Sequence, residues 1–160
     1  MKKLITSALL MVSFFAAAQQ ETIDQKVNAL LKKMTLEEKI GQLNQYTGDN
    51  AATGPITINA NKQAEIKAGL IGSMLNVTGT KYTRQYQELA MQSRLKIPLL
   101  FGQDVIHGYK TTFPIPLAEA ASWDLAAIEL AARVAATEAS ASGIHWTFAP
   151  MVDIGRDPRW

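Results

Sequence analysis

The chain has 160 residues, with 16 Lys and Arg against 14 Asp and Glu and no cysteine. That length suits one ordinary domain and falls short of the roughly 250 residues of a complete (β/α)8 barrel. Without cysteine there are no disulfides, thiolate metal sites or thiol nucleophiles. With no basic patch interleaved with aromatics, nothing marks a nucleic-acid partner.

The amino terminus reads as a targeting segment. Lys2 and Lys3 precede an apolar run from Leu4 to Phe15, and Ala16-Ala17-Ala18 supplies the small residues of a cleavage site before Gln19. The run is too short to span a bilayer comfortably. Residues 1–18 are therefore expected to be a secretory signal and residues 19–160 the mature domain. Losing Lys2 and Lys3 brings the basic residues level with the 14 acidic ones, so the mature chain is close to neutral.

Thr22-Ile23-Asp24-Gln25 and Thr35-Leu36-Glu37-Glu38 both have the spacing of a capping box. The first opens a helix with Ile23, Val27, Leu30, Leu31 and Met34 on one face, and the second a short helix with Ile40 and Leu43 as its buried stripe. Charges such as Lys32, Lys33, Glu37 and Lys39 read as a solvated face. Residues 48–61 read as a loop punctuated by Gly54-Pro55, and Lys62–Ala68 as a short helix ended by Gly69. Leu70–Val77 reads as a buried strand. Thr80–Leu95 reads as a helix with Tyr82 and Tyr86 in the core.

Ile97 to Phe101 has the length and composition of a buried strand, after which Gly102, Asp104 and His107 follow in a loop. Phe113-Pro114-Ile115-Pro116 forces an extended segment. The Ala-rich run Asp124–Ser142 favours a helix with Gly143 as its C′ residue, and His145–Ala149 reads as a third strand. Strands separated by helices imply an α/β fold with a parallel sheet. A third strand with no covering helix would leave an open edge and face, so the chain reads as a truncated part of a larger fold.

Two polar clusters fall at strand ends, where βα loops hold ligands. One is Asp104 with His107, and the other runs from Asp153 through Arg156 and Asp157 to Arg159. Carboxylates accept two hydroxyls at once and guanidinium donates in a fixed fork, which suits a polyhydroxylated ligand. Arg159 beside Trp160 adds an apolar surface for a sugar ring. Arg156 and Asp157 read better as an internally paired loop, and His145 as a core or supporting residue. Asp104-x-x-His107 lacks the third ligand of a metal site, and the Asn76-Val77-Thr78 triplet reads as a chance glycosylation match. No serine elbow, phosphate loop or dinucleotide glycine pattern is present.

Taken in order, Phe101-Gly102-Gln103-Asp104-Val105-Ile106-His107-Gly108, Thr112-Phe113-Pro114-Ile115-Pro116, Phe148-Ala149-Pro150-Met151-Val152-Asp153 and Arg156-Asp157-Pro158-Arg159-Trp160 closely resemble glycoside hydrolase family 3. Met34-Thr35-Leu36-Glu37-Glu38-Lys39-Ile40-Gly41-Gln42 resembles that family's first segment. The resemblance implies the first half of a (β/α)8 barrel, preceded by two short helices. It also implies hydrolysis of terminal β-D-glucosyl residues by a retaining mechanism in an exported, periplasmic enzyme, with a β-linked glucoside or oligosaccharide as partner and no metal or organic cofactor. Asp104 and Arg159 match the family's sugar-binding positions. His107 is expected to orient the Asp104 loop. The nucleophile and the acid/base are expected beyond Trp160, so the chain alone is expected to be inactive. A β-xylosidase of the same family and a non-catalytic periplasmic sugar-binding module stand as alternatives.

Overall fold

A computed structural model describes residues 22–49, 59–151 and 154–157. The expected signal segment lies outside the described residues, as do Asp153, Arg159 and Trp160. The chain divides into two compact units, residues 1–34 and 35–160.

The first unit contributes one described helix, α1 (Ile23–Lys33). Its capping box forms as the sequence predicts, with the Thr22 hydroxyl accepting from the Gln25 N–H and the Gln25 side chain accepting from the Thr22 N–H. No residue of α1 is buried.

The second unit opens with α2 (Leu36–Gly41), capped in the same way by Thr35 and Glu38. Then follow β1 (Gln45–Thr47), α3 (Lys62–Ala68), β2 (Ser73–Leu75), α4 (Thr80–Ala90) and β3 (Leu100–Gln103). The order closes with α5 (Pro116–Ala121), α6 (Leu125–Ala141) and β4 (Trp146–Thr147). The four strands lie in sequence order and every neighbouring pair is parallel. Each crossover therefore advances one strand in the same direction, with no point at which the order reverses.

Several expectations need correction. The sheet has four strands where three were expected, because Gln45-Tyr46-Thr47 has no apolar run and becomes a strand only by pairing with β2. Ile40 and Leu43 are exposed, whereas Glu38 and Gly41 are the buried residues of α2. Glu38 is drawn inward by Arg94, which donates from Nε at 3.0 Å and from Nη2 at 2.5 Å. Helix α4 stops at Ala90 rather than Leu95, and only Tyr86 of its two tyrosines is core, since Tyr82 is exposed. The extended Pro-Ile-Pro segment ends at Ile115, and Pro116 begins α5 from the first helical position, where a missing N–H costs nothing.

The core lies between the sheet and α3, α4 and α6. Phe101, Ile66 and Met74 are its largest fully buried side chains, each contributing about 1.5–3 kcal/mol by leaving water. Helix α6 buries Ala131, Ala135 and Ala139, four residues apart on one face. The opposite sheet face is different. Leu100, which pairs with Ser73, is 51% exposed and Trp146, which pairs with Gly102, is 44% exposed.

Two glycines are required by the packing of α2 and β1 against the approach to β2. A Cβ on Gly72 would fall on the Gln42 carbonyl oxygen, and one on Gly41 would lie 2.5 Å from the Leu70 α-carbon. Backbone here meets backbone with no side chain between.

Candidate active site

The carboxyl ends of parallel strands gather the loops that follow them. After β3 comes Asp104, which the strand alternation carries onto the same face as Leu100 and Gly102. Asp104 is exposed, and its carboxylate makes no hydrogen bond or ion pair among the described residues. A carboxylate with all its lone pairs open is a strong acceptor for paired hydroxyls.

The loop that carries it is tightly built. The Phe113 N–H donates to the His107 carbonyl at 2.8 Å, and His107 Nδ1 lies 3.1 Å from the Phe113 carbonyl. A carbonyl only accepts, so Nδ1 is the donor in this contact. Gly108 and Thr112 form an antiparallel bridge, and Gly108 takes φ +111, which a side chain would resist. His107 thus closes the loop on Phe113, with no hydrogen bond to Asp104. The contact it makes is to the far side of its own loop and not to the carboxylate.

Helix α6 fastens this loop from outside. The Glu138 carboxylate accepts the Lys110 and Thr111 N–H groups at 2.8 Å each and the Thr111 hydroxyl at 2.7 Å. These donors, the Thr111 side chain foremost, hold the Glu138 carboxyl below its ordinary value. Sequence reading missed Glu138, because a glutamate in an alanine-rich helix looks like solvated surface and its partners lie 27 and 28 residues away.

A second polar cluster sits at the end of β1. Lys62, with a side chain only 3% exposed, donates its ammonium to the Thr47 carbonyl at 2.8 Å and to Asp49 Oδ1 at 2.5 Å. The Tyr86 hydroxyl donates to Asp49 Oδ2 at 2.8 Å. The Lys62 bond lowers the Asp49 carboxyl, while burial and then Asp49 push the Tyr86 phenol up to about 12. Beside it, Tyr46 donates to Glu65 at 2.6 Å, and Asn59 donates to both. These groups satisfy one another and brace the start and end of the β1–α3 connection.

At β4, His145 Nδ1 accepts from the Phe101 N–H at 3.3 Å, so this histidine is a strand-end partner. Trp146 and Phe148 pack against each other with ring centroids 4.6 Å apart and their planes tilted by 40°. Arg156 and Asp157 are exposed, and Arg159 cannot be set against Asp104 because it falls outside the described residues. Among the described residues no group of three or more His, Asp or Glu is arranged to hold a metal ion.

A groove of about 650 Å³ is lined by Ile128, Ala131 and Ala135 of α6 together with Ile144, Thr147 and Pro150.

Residues 35–160 match the N-terminal domain of glycosyl hydrolase family 3. The chain is 45% identical over 141 residues to the periplasmic beta-glucosidase of Salmonella typhimurium, covering 88% of this chain and 18% of that protein. It superimposes with a TM-score of 0.73 on the beta-glucosidase of Listeria innocua solved with isofagomine, at 42% identity, covering 87% of this chain and 19% of that one. A putative beta-xylosidase of Formosa agariphila is 29% identical across 87% of this chain and 20% of its own length. The chain thus spans about a fifth of the length of the relatives it matches.

Proposed function

Since the chain belongs to glycosyl hydrolase family 3, we propose that it is the N-terminal part of an exported β-glucosidase. The whole protein removes terminal non-reducing β-D-glucosyl residues from β-glucosides and oligosaccharides with retention of configuration. The observation that carries this reading is Asp104, an exposed and unpartnered carboxylate at the carboxyl end of a parallel strand, on a loop fastened at both His107–Phe113 and Glu138. The naming of a relative as periplasmic supports export, with residues 1–18 as the signal.

In this scheme Asp104 and Arg159 hold hydroxyls of the sugar to be released, and His107 shapes the loop. A carboxylate beyond Trp160 attacks the anomeric carbon while a second carboxyl protonates the leaving oxygen. Water then releases the glycosyl-enzyme. This carboxyl chemistry calls for no metal or organic cofactor. Hydroxyl contacts that tighten as the ring flattens lower the barrier by several kcal/mol.

The same reading makes residues 19–160 part of a (β/α)8 barrel completed by later polypeptide. Three features support it: the one-directional strand order, the sheet face left open at Leu100 and Trp146, and the apolar groove beside β4.

The test is hydrolysis of aryl β-glucosides and aryl β-xylosides by the full-length protein, with Asp104→Ala beside it. Preference for the glucoside, with kcat/KM falling about a thousandfold in a normally folded Asp104→Ala, is the expected result. Preference for the xyloside moves the protein to the xylosidases. Sugar binding without turnover makes it a binding module.

A further inference from the structure

We infer that Phe148, seated on Gly102 and braced by Trp146, is the apolar platform beneath the glycosyl ring that Asp104 holds. The inference rests on the β-glucosidase reading and adds a residue to its sugar site.

Phe148 is tied to the strand that delivers Asp104. Its N–H donates to the carbonyl of Gln103, the residue just before Asp104, at 3.3 Å. Its ring reaches back across that strand. A Cβ built on Gly102 would lie 3.1 Å from Phe148 Cε2 and 3.5 Å from Cζ, so the ring covers the bare α-carbon of Gly102. A methyl group at 102 would press the ring edge outward by a few tenths of an ångström. Trp146, paired in register with Gly102, supports it at a tilt of 40°.

The aromatic pair is nevertheless left partly open, Trp146 at 44% and Phe148 at 36%. It lies on the sheet face to which the alternation of β3 brings Asp104, whose α-carbon is about 7 Å beyond that of Gly102. An aromatic face and an unpartnered carboxylate on one sheet face match the two chemistries of a pyranose ring. Its rim of hydroxyls donates to the carboxylate, and its C–H face rests on the electron-rich ring. Apolar walls with a few placed polar groups are the usual construction of a small-molecule site.

A platform touches substrate and transition state alike, so its loss raises KM more than it lowers kcat. In the full-length protein, Phe148→Leu keeps apolar volume and removes the ring. We expect KM for an aryl β-glucoside and the inhibition constant of glucose to rise together by about tenfold, with kcat changed less than threefold. Phe148→Tyr, which keeps the ring, brings KM back to within about threefold of the parent. Gly102→Ala, which shifts the ring edge by a few tenths of an ångström, raises KM in the same sense by a smaller factor, and Phe148→Met decides the matter if Phe148→Leu does not fold. An active parent whose KM is unmoved by Phe148→Leu, or by Phe148→Met where Phe148→Leu does not fold, overturns the platform alone. A full-length parent that hydrolyses no glycoside overturns the enzyme reading beneath it.

Discussion

Glu38, Asp49 and Glu138 are carboxylates whose work in this chain is to hold other groups in place. Glu38 bonds Arg94 across 56 residues, Asp49 joins Lys62 to Tyr86, and Glu138 gathers the loop at Thr111. Each has its carboxyl held below the ordinary value, chiefly by Arg94, Lys62 and Thr111 respectively. A carboxyl depressed in the folded state adds stability that is full above its unfolded value and disappears as pH falls through the folded one. The reference values are 4.5 for Glu and 3.8 for Asp, so the melting temperature should hold steady down to about pH 5 and then fall through the acid range. Glu38→Gln should lower the melting temperature at neutral pH and flatten its acid slope; an unchanged slope would remove Glu38 as a contributor. The place of Asp104 just past a strand was legible from sequence because Gly102, Asp104 and His107 follow a buried run within a few residues. Lys62 was not, since a lysine at the start of a short helix looks solvated until the Thr47 carbonyl and Asp49 are brought to it.

Helices were read more accurately than strands, for a physical reason. Capping boxes at Thr22 and Thr35 and the αL glycine after Ala68 are local devices, written within four residues, and the structure forms them as expected. The strands are two to four residues long and are defined by their neighbours. Gln45-Tyr46-Thr47 carries no periodic signal, and Leu70–Val77 shrinks to Ser73–Leu75 because Gly72 is used for close backbone approach to Gln42. The loop from Asp104 to Phe113 belongs at this scale too. Its shape depends on α6, so Glu138→Ala should lower kcat/KM of the full-length protein by about ten- to a hundredfold through misplacement of Asp104. Circular dichroism should show an unchanged helix content. Glu138→Gln, which keeps one acceptor oxygen, should fall between; activity equal to the parent in Glu138→Ala would mean that the loop holds its shape without the helix.

The molecule as a whole leaves one sheet face and the α6–β4 groove uncovered among the described residues, with Leu100 and Trp146 exposed. Apolar patches of this kind on an isolated domain bind dyes and one another. The 160-residue chain expressed alone should therefore bind a hydrophobic dye, self-associate with rising concentration and hydrolyse no glucoside, whereas the full-length protein should do the first two far less. A monomeric, dye-silent chain would count against the barrel.

The anchoring of the Asp104 loop by Glu138 also sets an order in time. A chain grows from its amino terminus, and Thr111 emerges 27 residues before the carboxylate that gathers it. During synthesis Asp104 is thus exposed on a loop that has no anchor yet, and the loop acquires its final shape only once α6 has emerged and wound onto the sheet. A pause in translation within α6 would hold the nascent chain in that unanchored state.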